Sequence, residues 1–359
     1  MKLGATTMAH RKLNFGILGT GNIARQFARG VLASRRCNLA AVGSRTEAAA
    51  TAFAAEAKVP AAHPTYEALL ADPTVDAVYV SLPNHLHHDW TIAALKAGKH
   101  VLCEKPIAAN HTEAERMFDA ASRHGRRLVE AFMYRSHPQT LAVVDEVRRG
   151  TIGTVKLIRS SFCFRVRNTA GNIRFDTATA GGALMDVGCY CINFSRLIAA
   201  AARPGHDGML EPHFVQGVAA LHESGVDELS SVVMQFPGGV LAEFTCGMAL
   251  QADNSAYVCG DEGYLTIPWP WKPTPDKSGY VIAHGVPPKQ DITAAGPKLP
   301  VPPPRQEVTV PVAGDLYGLE ADHFADHVLD DAEPALTAAD SLGNMVVLDA
   351  LRRQIGLTF

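Results

Sequence analysis

One stretch, from Leu13 to Ala33, constrains the fold more than any other. Leu13 to Leu18, LNFGIL, is an apolar run that reads as a buried strand, and Gly19-Thr20-Gly21-Asn22-Ile23-Ala24 follows it at once. A helical pattern then continues to Ala33. In strand, G-x-G-x-x-A and helix, each small residue has a mechanical task. The first glycine makes the tight turn, the second lets the backbone approach a pyrophosphate, and Ala24 lets helix and strand pack closely. An isolated G-x-G is commonly just a turn, but both flanks here suit a dinucleotide site, with Gly19, Thr20, Gly21, Asn22 and Ile23 as its loop.

The second strand, Asn38 to Val42, ends in Gly43-Ser44-Arg45-Thr46. A site for NAD typically has Asp or Glu there to hold the ribose 2′-hydroxyl. An arginine and two hydroxyls instead suit a 2′-phosphate, which a carboxylate would repel. NADP is therefore the expected cofactor, ahead of NAD, with Ser44 and Arg45 as contacts. The competing reading of Arg45 is a solvated residue opening the next helix.

Helical patterns follow over Thr46 to Lys58 and Tyr66 to Ala71, then Val75 to Leu82 reads as a strand buried on both faces of a parallel sheet. Pro83-Asn84-His85-Leu86-His87-His88 comes at its carboxyl end, the edge where doubly wound sheets bind ligands. Pro83, Asn84 and His87 are expected cofactor contacts, Asn84 on the nicotinamide ribose. No Asp, Glu or Cys stands at ligand spacing beside the histidines, so no metal is expected. The next strand, VLCEKP, runs into Glu104, Lys105 and Pro106, which holds the lysine amine at the sheet edge. Glu104 and Lys105 are further candidate cofactor contacts. A helix from His111 to His124 and a strand from Arg127 to Phe132 complete an open parallel sheet, and the first domain is expected over 12–135.

The second half has a different pattern. A helix over 137–149 and a strand from Gly153 to Arg165 precede a run of strands: His213 to Leu221, Leu229 to Phe236, Val240 to Met248, Ser255 to Cys259 and Tyr264 to Ile267. These predict an α+β domain over 136–335 on one antiparallel sheet, whose uncovered face suits a homodimer. Residues 268–306, with WPWKPTP and VPPPR, read as an irregular excursion at the cleft or a subunit contact. Helices from Tyr317 to Leu329 and Ala338 to Gln354 are expected to return to the first domain, with 336–359 as its C-terminal helix. Between the halves, AGGALMDVGCY places Asp186 and Tyr190 four residues apart, on one face if the segment is helical.

Composition excludes several classes. Lys plus Arg at 33 against Asp plus Glu at 36 gives a net charge of -3, too little basic excess for a nucleic-acid partner. The longest apolar runs, such as Val75 to Leu82, look too short for a bilayer, and the first twelve residues read as a frayed leader of a cytoplasmic chain. Seven scattered cysteines, with no CxxC, fit reduced thiols, and Cys189 and Cys191 read as packing residues.

GTGNIA, PNHLHH, AGKHVLCEKP and GGALMDVGCY, in this order, resemble the Gfo/Idh/MocA superfamily of glucose–fructose oxidoreductase and inositol dehydrogenase, from about Lys12 onward. The resemblance implies a Rossmann doubly wound parallel sheet, then an α+β domain with a large open, mainly antiparallel sheet, and sugar or polyol substrates. It implies that Lys105 is the catalytic lysine and Asp186 the acid of the family motif. Position 190, where many relatives have histidine, is tyrosine, as in branches similar to dimeric trans-dihydrodiol dehydrogenase, NADP-linked xylose dehydrogenase and glucose–fructose oxidoreductase. Tyr190 would then exchange a proton with the substrate, its phenolate stabilised by Lys105. Asp186 would orient the substrate or Lys105. Arg174, and less securely Arg165, would face the substrate or carry surface charge. The alternatives are a non-catalytic ligand sensor on the same fold, or a sugar–sugar oxidoreductase with tightly held NADP.

Overall fold

The computed structural model describes residues 11–206, 208–285 and 303–357. Most of the expected leader, and the central part of the expected proline-rich excursion, lie outside the described residues.

Six strands form the first sheet: β1 (Leu13–Leu18), β2 (Cys37–Gly43), β3 (Ala61–His63), β4 (Ala77–Val80), β5 (His100–Glu104) and β6 (Leu128–Ala131). They are ordered β3-β2-β1-β4-β5-β6, and every pairing is parallel. All four residues of β4 are buried, as its unbroken apolar run requires of a strand covered on both faces. The three residues of β3 are too few to show a periodicity, and the sequence reading missed them. Helices α1 (Asn22–Leu32), α2 (Glu47–Ala57), α3 (Tyr66–Leu70), α4 (His87–Lys96) and α5 (His111–Arg123) connect the strands. Thr46, Thr65 and Asn110 cap α2, α3 and α5 by accepting from backbone N–H groups, which fixes where those helices start. The strand order reverses between β1 and β4, which opens a crevice at their carboxyl ends.

The second sheet follows α6 (Pro138–Arg148). It contains β7 (Val155–Cys163), β8 (Phe214–Leu221), β9 (Asp227–Gln235), β10 (Leu241–Gly247), β11 (Ala256–Gly260), β12 (Gly263–Ile267), β13 (Gly279–His284) and β14 (Arg305–Thr309). Their order is β14-β13-β12-β11-β7-β10-β9-β8. Two expectations are corrected here. The sheet is not wholly antiparallel, because β10 returns through β8 and β9 to lie parallel to β7. Nor is the 268–306 segment irregular throughout, since it contains β13, paired to β12, and the start of β14. The flanking prolines masked the short β-forming run GYVIAH.

One face of this sheet is covered by α7 (Cys189–Ala201), all thirteen of whose residues are buried. The stretch Thr177–Ala201 is long and apolar enough to cross a bilayer, which corrects the expectation that no run reaches that length. Yet 94% of its most apolar window is buried within the protein, as expected of a core helix packed on every side. Along β9 buried and exposed residues alternate, and Val218, Val233 and Leu241 stand 67%, 47% and 50% exposed on the opposite, open face. The last two helices, α8 (Leu316–Leu329) and α9 (Ala338–Gln354), pack on α1 and on α5 respectively, and α9 also touches β8 and α7.

Candidate active site

The carboxyl edge of the first sheet and the turn leading into α7 bound a cleft of about 920 Å³. Gly19, Thr20, Gly21, Asn22, Ile23, Ser44, Arg45, Pro83, Asn84, His87, Glu104, Lys105, Arg174, Asp186 and Tyr190 all line it. Arg165 is exposed, bridges to Ala249 instead, and is not among the lining residues.

At one end of the cleft Gly19 has φ +103°, a conformation side chains avoid, and turns β1 into α1. A Cβ on Gly21 would meet nothing within 4 Å, so the backbone there presents an open cradle. No side chain caps α1, whose first N–H groups face that cradle and whose dipole favours an anion. Ser44 and Arg45 follow at the end of β2, where no carboxylate stands, and Tyr66 lines the cleft beside them. These residues fit a dinucleotide with its pyrophosphate over the glycine loop.

Two expected contacts have other partners. The Asn84 amide donates to the Ala180 carbonyl at 2.9 Å, joining the first sheet's edge to the segment before α7. His87 is buried, its ring nitrogens 2.8 Å from the carbonyls of Pro106 and Leu82. Burial holds its pKa down to about 4 against the pull of those carbonyls, so at neutral pH one N–H serves them. His87 is thus a strut between two loops, its ring nitrogens engaged by those two carbonyls.

At the other end three charges converge. Lys105 Nζ donates to the Asp186 carboxylate at 3.2 Å and to the Asp186 carbonyl at 2.6 Å, and Arg174 Nε donates to the same carboxylate at 2.7 Å. Burial would raise Asp186, but Lys105 and Arg174 outweigh it and hold the carboxyl at about 2. Burial likewise opposes the Lys105 charge, and Asp186 more than restores it, raising the ammonium above its ordinary value. Glu104 turns inward: Tyr79 donates to one carboxylate oxygen, the Lys105 N–H to the other at 3.2 Å, and burial raises its pKa.

Residues Leu184–Gly188 form a π-helical turn that runs into α7, so Asp186 and Tyr190 are not simply one α-helical turn apart. Asp227, at the start of β9, fixes this turn by accepting from the Leu184 N–H at 2.8 Å. Gly182, at φ +112°, makes room, because a Cβ there would collide with the Asp227 carboxylate. Tyr190 is 4% exposed, and its hydroxyl donates to Met133 Sδ at 3.2 Å. Burial, with Glu104 next, raises this phenol well above the ordinary tyrosine value. The expectation that Lys105 holds it low is therefore corrected. The ammonium is bonded to Asp186 and meets the face of the tyrosine ring, 5.2 Å from its centroid.

Several lining residues escaped the sequence reading. Phe162 and Phe164 give the cleft an apolar wall. Behind it Trp271 lies parallel to Phe162, with centroids 5.6 Å apart, and edge-on to Tyr190 at 5.9 Å. Its indole N–H donates to the Ser161 carbonyl at 2.7 Å. Gln26, Gln251, Asn254, Lys272 and Tyr317 also line the cleft. The available signal was WPWKP itself, since tryptophans between prolines in a polar segment need something to pack on.

Residues 13–132 match the family model described as oxidoreductase family, NAD-binding Rossmann fold, and residues 140–266 match the GFO/IDH/MocA C-terminal domain. A trans-1,2-dihydrobenzene-1,2-diol dehydrogenase of Mus musculus is 31% identical over 97% of this chain and 98% of its own length. A D-xylose 1-dehydrogenase (NADP(+)) of Haloferax volcanii is 41% identical over 64% of this chain and 67% of its own. A tyrosine-to-phenylalanine mutant of a 3-ketoreductase from Actinomadura kijaniata, solved with TDP-benzene and NADP, superposes with a TM-score of 0.82. It is 28% identical, over 96% of this chain and 98% of that one. The chain belongs to the Gfo/Idh/MocA family of NAD(P)-binding oxidoreductases.

Proposed function

From that membership we propose that this protein is an NADP-dependent oxidoreductase acting at a CH–OH or C=O carbon of a sugar, polyol or diol. The observation that carries the reading is the Lys105–Asp186–Arg174 cluster, packed against Tyr190 at the opposite end of the cleft from the glycine loop. When bound, the nicotinamide supplies or accepts the hydride. Tyr190, kept protonated by burial, donates its proton to the substrate oxygen in the reducing direction and takes it back in the other. Lys105 uses two of its three ammonium protons on Asp186, and the third is available to hold that oxygen. Asp186 aims the lysine and Arg174 balances its charge, so the cluster carries one net positive charge where negative charge develops on the oxygen.

The absence of a carboxylate beside Ser44 and Arg45 supports NADP over NAD, as do the NADP in the relatives' descriptions. The Phe162 and Phe164 wall suits the apolar face of a sugar or diol ring, and Asn254, Gln251 and Arg174 suit its hydroxyls. The exposed Val218, Val233 and Leu241 support a homodimer through the open sheet face. Seven free thiols suit the reducing cytoplasm.

The test is to incubate purified protein with NADP or NAD and a panel of aldoses, polyols and diols, following nicotinamide fluorescence. Turnover with NADP and at least one panel member is expected. No turnover anywhere, together with no dinucleotide binding by calorimetry, would overturn the reading.

A further inference from the structure

The aromatic wall of the cleft is carried by the carboxyl end of β7, past the point where its neighbour β11 begins. The outermost backbone link on that flank is the Ser161 N–H to the Ser255 carbonyl, at 3.0 Å. One residue before Ser255, Asn254 takes φ +55°, a left-handed conformation that asparagine tolerates better than most residues. Its side chain takes over where the backbone pairing ends. Asn254 Oδ1 accepts from the Cys163 N–H at 2.7 Å, and Nδ2 donates to the Cys163 carbonyl at 2.9 Å. One amide thus satisfies both backbone groups of Cys163. On the opposite flank the ladder with β10 runs on to Gly247, whose carbonyl accepts from the Phe164 N–H at 3.0 Å, so only the β11 flank depends on a side chain here. Phe162 and Phe164 stand on either side of Cys163 and share a face, as alternate strand residues do. Phe162 meets Tyr190 edge-on, with ring centroids 5.2 Å apart, and the Arg174 guanidinium lies 5.9 Å from the centroid of Phe164. The pinned segment therefore packs against the proposed proton donor and against the arginine that holds Asp186.

We propose that Asn254 is a positioning residue, which sets the Phe162–Phe164 wall and through it the fit of the substrate ring. The inference rests on the reading of this end of the cleft as the substrate's. Asn254 acts through the backbone of Cys163 with one N–H and one lone pair of its amide, and this role is separate from any contact of its own with a substrate hydroxyl.

The test compares wild type with Asn254→Gly, which keeps the left-handed backbone without strain and removes the amide, both alone and combined with Phe162→Leu. Exchange of the Cys163 backbone N–H, followed by NMR in the substrate-free protein, should be about five- to tenfold faster in Asn254→Gly. KM for a cyclic substrate from the panel should rise by a similar factor with kcat within roughly twofold, the signature of lost fit in the ground state. NADPH affinity by calorimetry should not change. In the Phe162→Leu background, adding Asn254→Gly should raise KM little further, because the two residues act as one unit. An undiminished rise there would overturn the proposal, since Asn254 would then serve the substrate directly. Unchanged exchange or unchanged KM in Asn254→Gly would overturn it too, and so would an equal loss of NADPH affinity, which would mark a general loosening of the fold. Wild type that turns over no panel member would overturn the reading of the cleft on which this role rests, while exchange at Cys163 would still report whether the amide holds the strand.

Discussion

At the dinucleotide end of the cleft five consecutive residues, 19–23, supply the cradle largely with backbone, and the side chains that matter are glycines for what they lack. At the substrate end Lys105 and Asp186 meet across 81 positions of sequence, Tyr190 follows Asp186 on the helix that continues its turn, and Arg174 and Phe162 arrive on two further segments. The first end is local and is made by one strand–turn–helix unit. The second exists only when two sheets and the π-turn before α7 are all in place. Damage should therefore separate cleanly: changes at one end affect affinity for the cofactor, and changes at the other affect turnover or stability.

The largest expected effect is at the substrate end. Tyr190→Phe should lower turnover by about 10²–10⁴, the general acid–base range, with NADP affinity within twofold or so of wild type. A variant with full turnover would take the proton transfer away from Tyr190. The mirror experiment is Gly21→Ala. The backbone there, at φ -74°, accepts alanine, and the added methyl projects into open space. Melting temperature should hold while the dinucleotide Kd rises roughly ten- to hundredfold, or about 1.4–2.8 kcal/mol. Unchanged affinity would mean that the cradle holds nothing. Third in size, Arg45→Asp should shift the ratio of NADP to NAD affinity by about tenfold toward NAD through repulsion of the 2′-phosphate. A constant ratio would leave Arg45 as a surface residue.

The last effect, read in stability and not in turnover or affinity, concerns what props the substrate end. Glu130 is 1% exposed and accepts the Ile107 N–H at 2.9 Å, just past Lys105. Burial raises its carboxyl from 4.5 to about 7. A carboxyl raised on folding stabilises the protein below its unfolded value, and that contribution is lost as pH rises through the folded one. Wild type should lose up to about 3 kcal/mol between pH 4.5 and 8 from this group. Glu130→Gln keeps the acceptor and should melt at a higher temperature than wild type at pH 9, with the two alike at pH 5. A pH-independent difference would show that Glu130 does not titrate in this range. Dinucleotide affinity should not change at either pH.

The same division separates what was legible in the chain from what was not. GTGNIA, the missing carboxylate after β2 and the EKP strand end are contiguous patterns whose meaning comes from spacing and backbone geometry, so they identify the first sheet and its ligand edge directly. The long antiparallel-rich sheet was legible too, from strand after strand without intervening helices, apart from β13 and β14, which lie in or beside the proline-rich segment and did not register. Lys105, Asp186 and Tyr190 could be named in sequence, but not the direction of their interaction. Which of its neighbours a lysine charge serves depends on distances of 3 to 5 Å and on burial, and the fold gives Lys105 to Asp186 and leaves Tyr190 raised. Trp271 and Lys272 show the same limit: WPWKP marked a segment that needs something to pack on, but only the fold put Trp271 behind Phe162 and Lys272 on the cleft. The sequence by itself determined the sheet, the dinucleotide loop and the list of ionisable groups, since each depends on neighbours in the chain. The tertiary structure alone decided which charges are paired, which proton is retained and which side chains face the cleft, because electrostatic and packing energies fall off over a few ångströms of space whatever the separation in sequence.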